Sequence, residues 1–242
     1  MSSFKLTYKS FGNRAILIEW PAKIDKKILK NVILFKNKIL NHDIKSILEV
    51  IIGYNSLTIT YVYTIENIYS EFLALKSIYF SDSPQISVNN FHWRIPVCYD
   101  EKFGIDLQEI SQKNELEIDA ITDLHCDQIY TVFFIGFLPG FLYLGGLDKR
   151  LFFDRKSTPR LDVKKGAVGI GGMQTGIYPS QSSGGWNIIG NSPISFFNPK
   201  SEEPCFAKSG DEIQFYKIEL EEYNQIKKQV EIGSYELERK KI

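Results

Sequence analysis

The chain has 242 residues, of which 43% are hydrophobic and 14% aromatic, enough apolar material for one large core or two small ones. Lys plus Arg and Asp plus Glu both number 29, so the formal charge is zero. That excludes a global field able to gather nucleic acid or a membrane surface, and partners must be recognised locally. Cys98, Cys126 and Cys205 lie far apart with no C-x-x-C pair, which points to a reducing compartment and no metal site. No apolar leader opens the chain and no run approaches the ~18 apolar residues of a membrane span, so a cytoplasmic protein is expected.

In chain order, Lys5 to Tyr8 and Ala15 to Trp20 read as short strands around the turn signal Phe11 to Asn13. From Asp25, an N-cap candidate, Ile28, Leu29, Val32, Ile33, Ile39 and Leu40 recur at helical spacing, predicting a helix that ends near Asn41. Ile44 to Ile52 and Leu57 to Tyr63 form two extended runs joined by Gly53-Tyr54-Asn55-Ser56, a hairpin. Glu66 to Phe80 predicts a second helix. With a strand at Phe91 to Tyr99, this order is the ferredoxin-like split βαβ pattern, an open sheet with both helices on one face. The expected division falls in the polar segment Ser81 to Asn90, giving an α+β domain over residues 1–85 and a second domain over 86–242.

Phe103 to Lys113 and Ile118 to Leu124 read as short helices. From Thr131 onward, extended runs are broken by Pro and Gly roughly every eight to twelve residues, the habit of a closed β-barrel or a sandwich. Glu212 to Ile218 reads as a last strand, Glu219 to Val230 as a terminal helix, and GSYELERKKI as a charged mobile tail.

The densest stretch runs from Phe133 to Phe197: FFIGFLPGFLYLGGL, then STPRLDV, then KKGAVGIGGMQTGIYPSQSSGGWNIIGNSPISFF. Its glycines are interleaved with aromatic and β-branched residues, so they mark turns, bulges or close approaches in an ordered β structure. GAVGIGG has neither a dinucleotide-binding register nor a P-loop, and no G-x-S-x-G elbow exists. What remains is a polar set within the glycines. Gln174, Thr175 and Tyr178 offer amide, hydroxyl and phenol groups near Gly171, Gly172 and Gly176, where backbone N–H groups can approach an anion. The alternative is that these groups satisfy one another across a turn. Arg160, after Pro159, fits a carboxylate or phosphate in two-pronged geometry, or forms an ordinary surface salt bridge. His125 is a candidate acid or base, set against a structural histidine. Phe137, Pro139, Phe141 and Trp186 are candidates for a pocket wall or partner surface, set against core packing.

FIGFLPGFLYLGGL, TPRLDV, GMQTGIYP and GGWNIIG, in that order, closely resemble the signature blocks of the family formed by the B component of bacterial 5-oxoprolinase, which includes the kinase inhibitor KipI and allophanate hydrolase subunit 1. The resemblance extends over most of the chain and includes IPVCYDEKFGIDL and the position of His125. It implies a small N-terminal α+β domain followed by a cyclophilin-like β-barrel. It also implies partnership with the 5-oxoprolinase A component and with a C component like allophanate hydrolase subunit 2. Together these open 5-oxoproline to glutamate, with ATP and Mg2+ entering as co-substrate and no tightly bound cofactor. On that basis Arg160, Gln174, Thr175 and the amides beside Gly171, Gly172 and Gly176 are expected to hold the lactam, its carboxylate or the phosphoryl oxygens. The rival implications are a KipI-type inhibitor docking on a sensor histidine kinase, and an allophanate hydrolase-like protein. Leu142 and Ser183 replace prolines of the family blocks, and Asn191 replaces the arginine of IIGRTP. If that arginine binds an anion in relatives, this chain either recruits another cation, such as Arg155 or Lys156, or differs in substrate preference.

Overall fold

The computed structural model describes residues 4–42, 44–82 and 89–242, and the chain divides into two compact units, 1–88 and 89–242. The boundary expected after residue 85 lies outside the described residues. Both units are mixed α/β structures, and among the described residues no helix is long and apolar enough to cross a membrane.

The first unit contains β1 (Thr7–Ser10), β2 (Ala15–Glu19), α1 (Lys26–Asn41), β3 (Ile47–Ile52), β4 (Ser56–Tyr61) and α2 (Ile68–Phe80). Asp25, in extended conformation, starts α1 by accepting the Lys27 N–H at 2.7 Å. Ile28, Leu29, Val32, Phe35 and Ile39 then fall on one buried face. Alternation in the strands sends Ile16, Ile18, Leu57 and Ile59 inward to complete burial, each contributing roughly 1.5–3 kcal/mol. The sheet order is β1-β2-β4-β3, antiparallel throughout. One expectation is corrected here. The strand after α2 was expected to complete this sheet, but the place beside β2 is taken by β1. Element order along the chain does not specify which sheet edge a strand joins, and here the N-terminal hairpin of β1 and β2 occupies it.

The second unit begins with that displaced strand, β5 (Phe91–Val97), followed by α3 (Leu107–Asn114), α4 (Ile118–Cys126), β6 (Tyr130–Ile135) and β7 (Leu142–Gly145). A short 3-10 turn at Lys149–Leu151 leads to β8 (Arg160–Val163), β9 (Ala167–Gly171), β10 (Gln174–Ile177), β11 (Ser182–Gly184) and β12 (Asn187–Asn191). The unit ends with β13 (Glu212–Lys217), α5 (Leu220–Glu231) and β14 (Arg239–Lys241). Its main sheet has the order β12-β9-β10-β7-β6-β13-β5-β14, while β8 and β11 pair separately. β5 and β13 run parallel, and both are buried at Ile95 and Phe215.

The closed barrel expected from the turn spacing is not formed by a continuous ladder. One bridge links the residue after β5 to the end of β12: Cys98 N–H donates to Asn191 O and Asn191 N–H to Cys98 O, both at 2.9 Å. Turn spacing reports strand length but not whether the first and last strands meet over several residues. The tail is likewise corrected: β14 pairs antiparallel with β5, and the Arg239 guanidinium lies over the rings of Phe91 and Trp93 at 4.9 and 5.5 Å.

Asn191 is 4% exposed at this bridge. Its Nδ2 donates to the Lys165 carbonyl at 2.9 Å and its Oδ1 accepts the Tyr223 hydroxyl at 2.9 Å. The residue that stands in place of the family arginine is therefore a structural node between β12 and α5. Asn191→Ala orphans both partners and is expected to destabilise the protein by about 2–4 kcal/mol. Urea titration checks this as a lowered midpoint with an unchanged slope.

Candidate functional site

Gly104 opens the site's scaffold by bringing the chain against β12, where a Cβ would come within 2.7 Å of the Ile189 carbonyl. Two residues on, the backbone N–H of Asp106 donates to Ile188 O at 2.9 Å, and Asp106 Oδ2 accepts the Ile188 N–H at 2.7 Å. The side chain, 4% exposed, does not cap α3. Its Oδ1 instead accepts from Arg160 Nη2 at 2.5 Å and lies 3.0 Å from Lys156 Nζ. One buried carboxylate thus ties α3, β8, β12 and the loop before β8 together.

A cavity of about 730 Å³ opens beside this knot. Its walls are Glu109, Lys113 and Asn114 of α3, loop residues 152–158, Gly172 and Met173 at the β9–β10 turn, and Asn187 of β12. Glu109 bridges Lys156 at 2.8 Å and Lys113 at 2.9 Å. The Lys156 bond, followed by that of Lys113, holds the Glu109 carboxyl down at about 2. Burial works against the Lys156 ammonium, but its bonds to Glu109 and Asp106 outweigh that and raise its pKa, keeping it a cation. Lys113 Nζ also lies 4.9 Å from the centre of the Phe153 ring, and the Arg155 guanidinium 5.6 Å from that of Trp186. The loop is anchored by Lys156 N–H to Gly185 O at 2.7 Å and by paired backbone bonds between Phe153 and Gly172.

The glycines expected to present amides to an anion do something else. The Gly172 N–H donates to Phe153 O at 2.8 Å, and its φ of 65° serves the two-residue turn between β9 and β10. A Cβ on Gly171 would stand 2.6 Å from Trp186 Nε1, and one on Gly176 3.0 Å from the same indole. These glycines make room for the Trp186 ring, which packs edge-on to Phe141 and Tyr143. Tyr178 is buried in that aromatic cluster, and Gln174 pairs with Gly171 across the hairpin.

His125 is also reassigned from acid or base to core. It is fully buried, and its ring stacks on Phe215 at 4.6 Å. Nδ1 lies 2.7 Å from the Tyr99 hydroxyl and Nε2 lies 2.9 Å from Thr175 Oγ1, which donates to Gly169 O. Donors and acceptors match when Tyr99 donates to Nδ1 and the Nε2–H to Thr175, so a neutral imidazole is satisfied on both sides. Burial holds its pKa down at about 3. Thr175 is occupied by this chain of bonds, and the Nη2 of Arg160 by Asp106, while its buried Nη1 has no hydrogen-bond partner among the described residues. Phe137, 59% exposed with a φ of 66°, and exposed Pro139 flank the aromatic cluster, Phe137 lying edge-on to Phe141.

Of the cavity's residues, sequence reading had named Gly172 and, as substitute cations, Arg155 and Lys156. It missed Glu109, Lys113 and Asn187, and also Asp106 in the knot beside the cavity. Asp106 was hidden inside an expected helix. Asn187 carried a usable signal, an amide in the otherwise apolar run WNII.

Two measurements test this geometry. Asp106→Ala leaves Arg160 without its carboxylate, Lys156 with Glu109 alone and the Ile188 N–H without an acceptor, so calorimetric melting should show a loss of about 3–5 kcal/mol. For His125, the folded pKa lies below the unfolded value. Its stabilising contribution is therefore complete above about 6.5 and is lost as pH falls toward 3. Between pH 7 and pH 5 this amounts to roughly 2 kcal/mol, and urea titrations of His125→Gln at the two pH values should show that part of the slope removed.

Residues 6–207 match the family described as carboxyltransferase domain, subdomain C and D. The chain is 33% identical over 231 residues to the B component of 5-oxoprolinase from Bacillus subtilis, covering 91% of this chain and 96% of that relative. Among solved structures it is similar to TTHA0988, with 29% identity and a TM-score of 0.73 over 85% of this chain, but it spans only 40% of that longer chain. The urea amidolyase of Kluyveromyces lactis superposes on 99% of this chain with a TM-score of 0.85 at 20% identity, a likeness of fold alone, and there the match is 16% of the other chain.

Proposed function

The chain belongs to the carboxyltransferase domain, subdomain C and D, family, and from that premise we propose that it is the B component of an ATP-dependent 5-oxoprolinase. The observation that carries this reading is end-to-end similarity to a relative of that name, combined with a cation-lined cavity in the second unit. The order β1-β2-β4-β3 supports a ferredoxin-like first domain with β1 in the place of its last strand, and the Cys98–Asn191 bridge supports a cyclophilin-like, almost closed second one.

Hydrolysis of a five-membered lactam is uphill. Transfer of a phosphoryl group to the amide oxygen makes the ring carbon a good target and leaves anionic oxygens that need fixed positive charge. Lys113, Arg155 and Lys156 supply it, and the raised pKa of Lys156 suits a permanent cation rather than a base. For magnesium the cavity offers a poor donor set, because Glu109 is taken by two lysines and Asp154 is left as the other acid on its wall. No step is assigned to a metal on this chain. ATP is a co-substrate of the assembled enzyme, whose A and C components are the partners. Exposed Phe137 and Pro139 belong to the face offered to the C component. Operation in the cytoplasm accords with free thiols at all three cysteines.

The test is coupled release of ADP and glutamate from 5-oxoproline by this chain co-expressed with its cognate A and C components, each omitted in turn. Turnover should require this chain, and Lys156→Met should lower kcat/KM about 10²-fold while the variant still assembles. Full turnover without this chain would overturn the reading.

A further inference from the structure

Within the cavity one polar group is unexplained. Asn187 is fully buried on the cavity wall, and its Oδ1 has no hydrogen-bond partner. The amide cannot turn over to relieve this, because its Nδ2 already donates to Asp154 O at 2.8 Å and to Ile170 O at 3.3 Å. A flip would set an oxygen against two carbonyls. An acceptor fixed in this way costs free energy until a donor reaches it. Water is shut off from the atom, and Met173, 55% exposed at the β9–β10 turn, is a cavity side chain free to swing aside for an entering group.

The charges around it are unevenly committed. Lys113 and Lys156 are paired with Glu109, and Lys156 with Asp106 as well. Arg155 is held over the Trp186 face and forms no ion pair with an acid among the described residues. The wall carries three cations against the carboxylates of Glu109 and Asp154, so a small anion is favoured on balance. A planar guanidinium matches a carboxylate in two-pronged geometry.

We propose that Asn187 and Arg155 together form the recognition element of this cavity, for a small acid that carries an amide N–H next to its carboxylate. Asn187 Oδ1 accepts the N–H and Arg155 takes the carboxylate. This rests on the reading of the chain as an oxoprolinase component and deepens it. The site distinguishes a lactam acid from its ring-oxygen counterpart, because only the former can satisfy the orphaned acceptor. An isostere without the donor leaves Oδ1 unpaired and places a second oxygen against it.

The experiment leaves the wild-type fold untouched by changing the ligand. Binding of 5-oxo-L-proline and of its lactone isostere, 5-oxotetrahydrofuran-2-carboxylate, is measured by titration calorimetry on the full chain co-purified with its C component. The lactam acid should bind about 10-fold or more tightly than the lactone. Arg155→Met, a change at an exposed side chain, should weaken both acids by a similar factor and preserve their ratio. Equal binding of the two acids to wild type, no binding of either, or unchanged affinities in Arg155→Met would each overturn the proposal. Failure of the oxoprolinase reading looks different: no glutamate release from the three-part complex, with discrimination between lactam and lactone intact.

Discussion

The second unit depends on the burial of one carboxylate. Removing Asp106 from water carries a desolvation cost of several kcal/mol, and the fold offsets it with three converging donors, the Ile188 N–H, Arg160 and Lys156. Those donors come from three separate segments, so satisfying the charge also fixes where α3, β8, β12 and the loop before β8 lie. Lys156 is then in place to reach Glu109, and Glu109 to hold Lys113. The charged wall of the cavity is a consequence of this chain of pairings more than of any local preference of the loop.

The opposite support is apolar. Trp186 lies in a slot left by Gly171 and Gly176 and is closed in by Phe141 and Tyr143. Its outer face carries Arg155. The residue that follows it in sequence, Asn187, reaches the cavity with its amide already oriented by two carbonyls. A rigid indole and a fixed amide, adjacent in the chain, thus place a cation and an acceptor on the wall of one cavity. Preorganisation of this kind limits the ordering that a small ligand would otherwise have to bring about.

Much of the architecture was legible because it rests on local rules. Helical spacing and the Asp25 cap located α1, and the Gly53 to Ser56 signal located the β3–β4 hairpin. Sheet membership was not legible for β5 or β14, since pairing partners lie far away in sequence and neither strand's pattern names them. The glycine-rich segment was legible as ordered, but what its glycines make room for was not. Absence of a Cβ reports a close approach without saying whether a ligand or an indole makes it. His125 stood out as a lone titratable group, yet sequence does not reveal that Tyr99 and Thr175 converge on both of its nitrogens. Asp106 was obscured because the helix expected over Phe103 to Lys113 took it in, whereas α3 starts only at Leu107.

The proposed site for the lactam is the cavity organised by Asp106, and a crystal structure of the assembled complex with 5-oxo-L-proline would decide it. Ligand density is expected between α3, loop residues 152–158 and the β9–β10 turn, with the carboxylate at Arg155 and the ring N–H at Asn187. Ligand bound wholly within a partner protein, with this cavity empty, would contradict it.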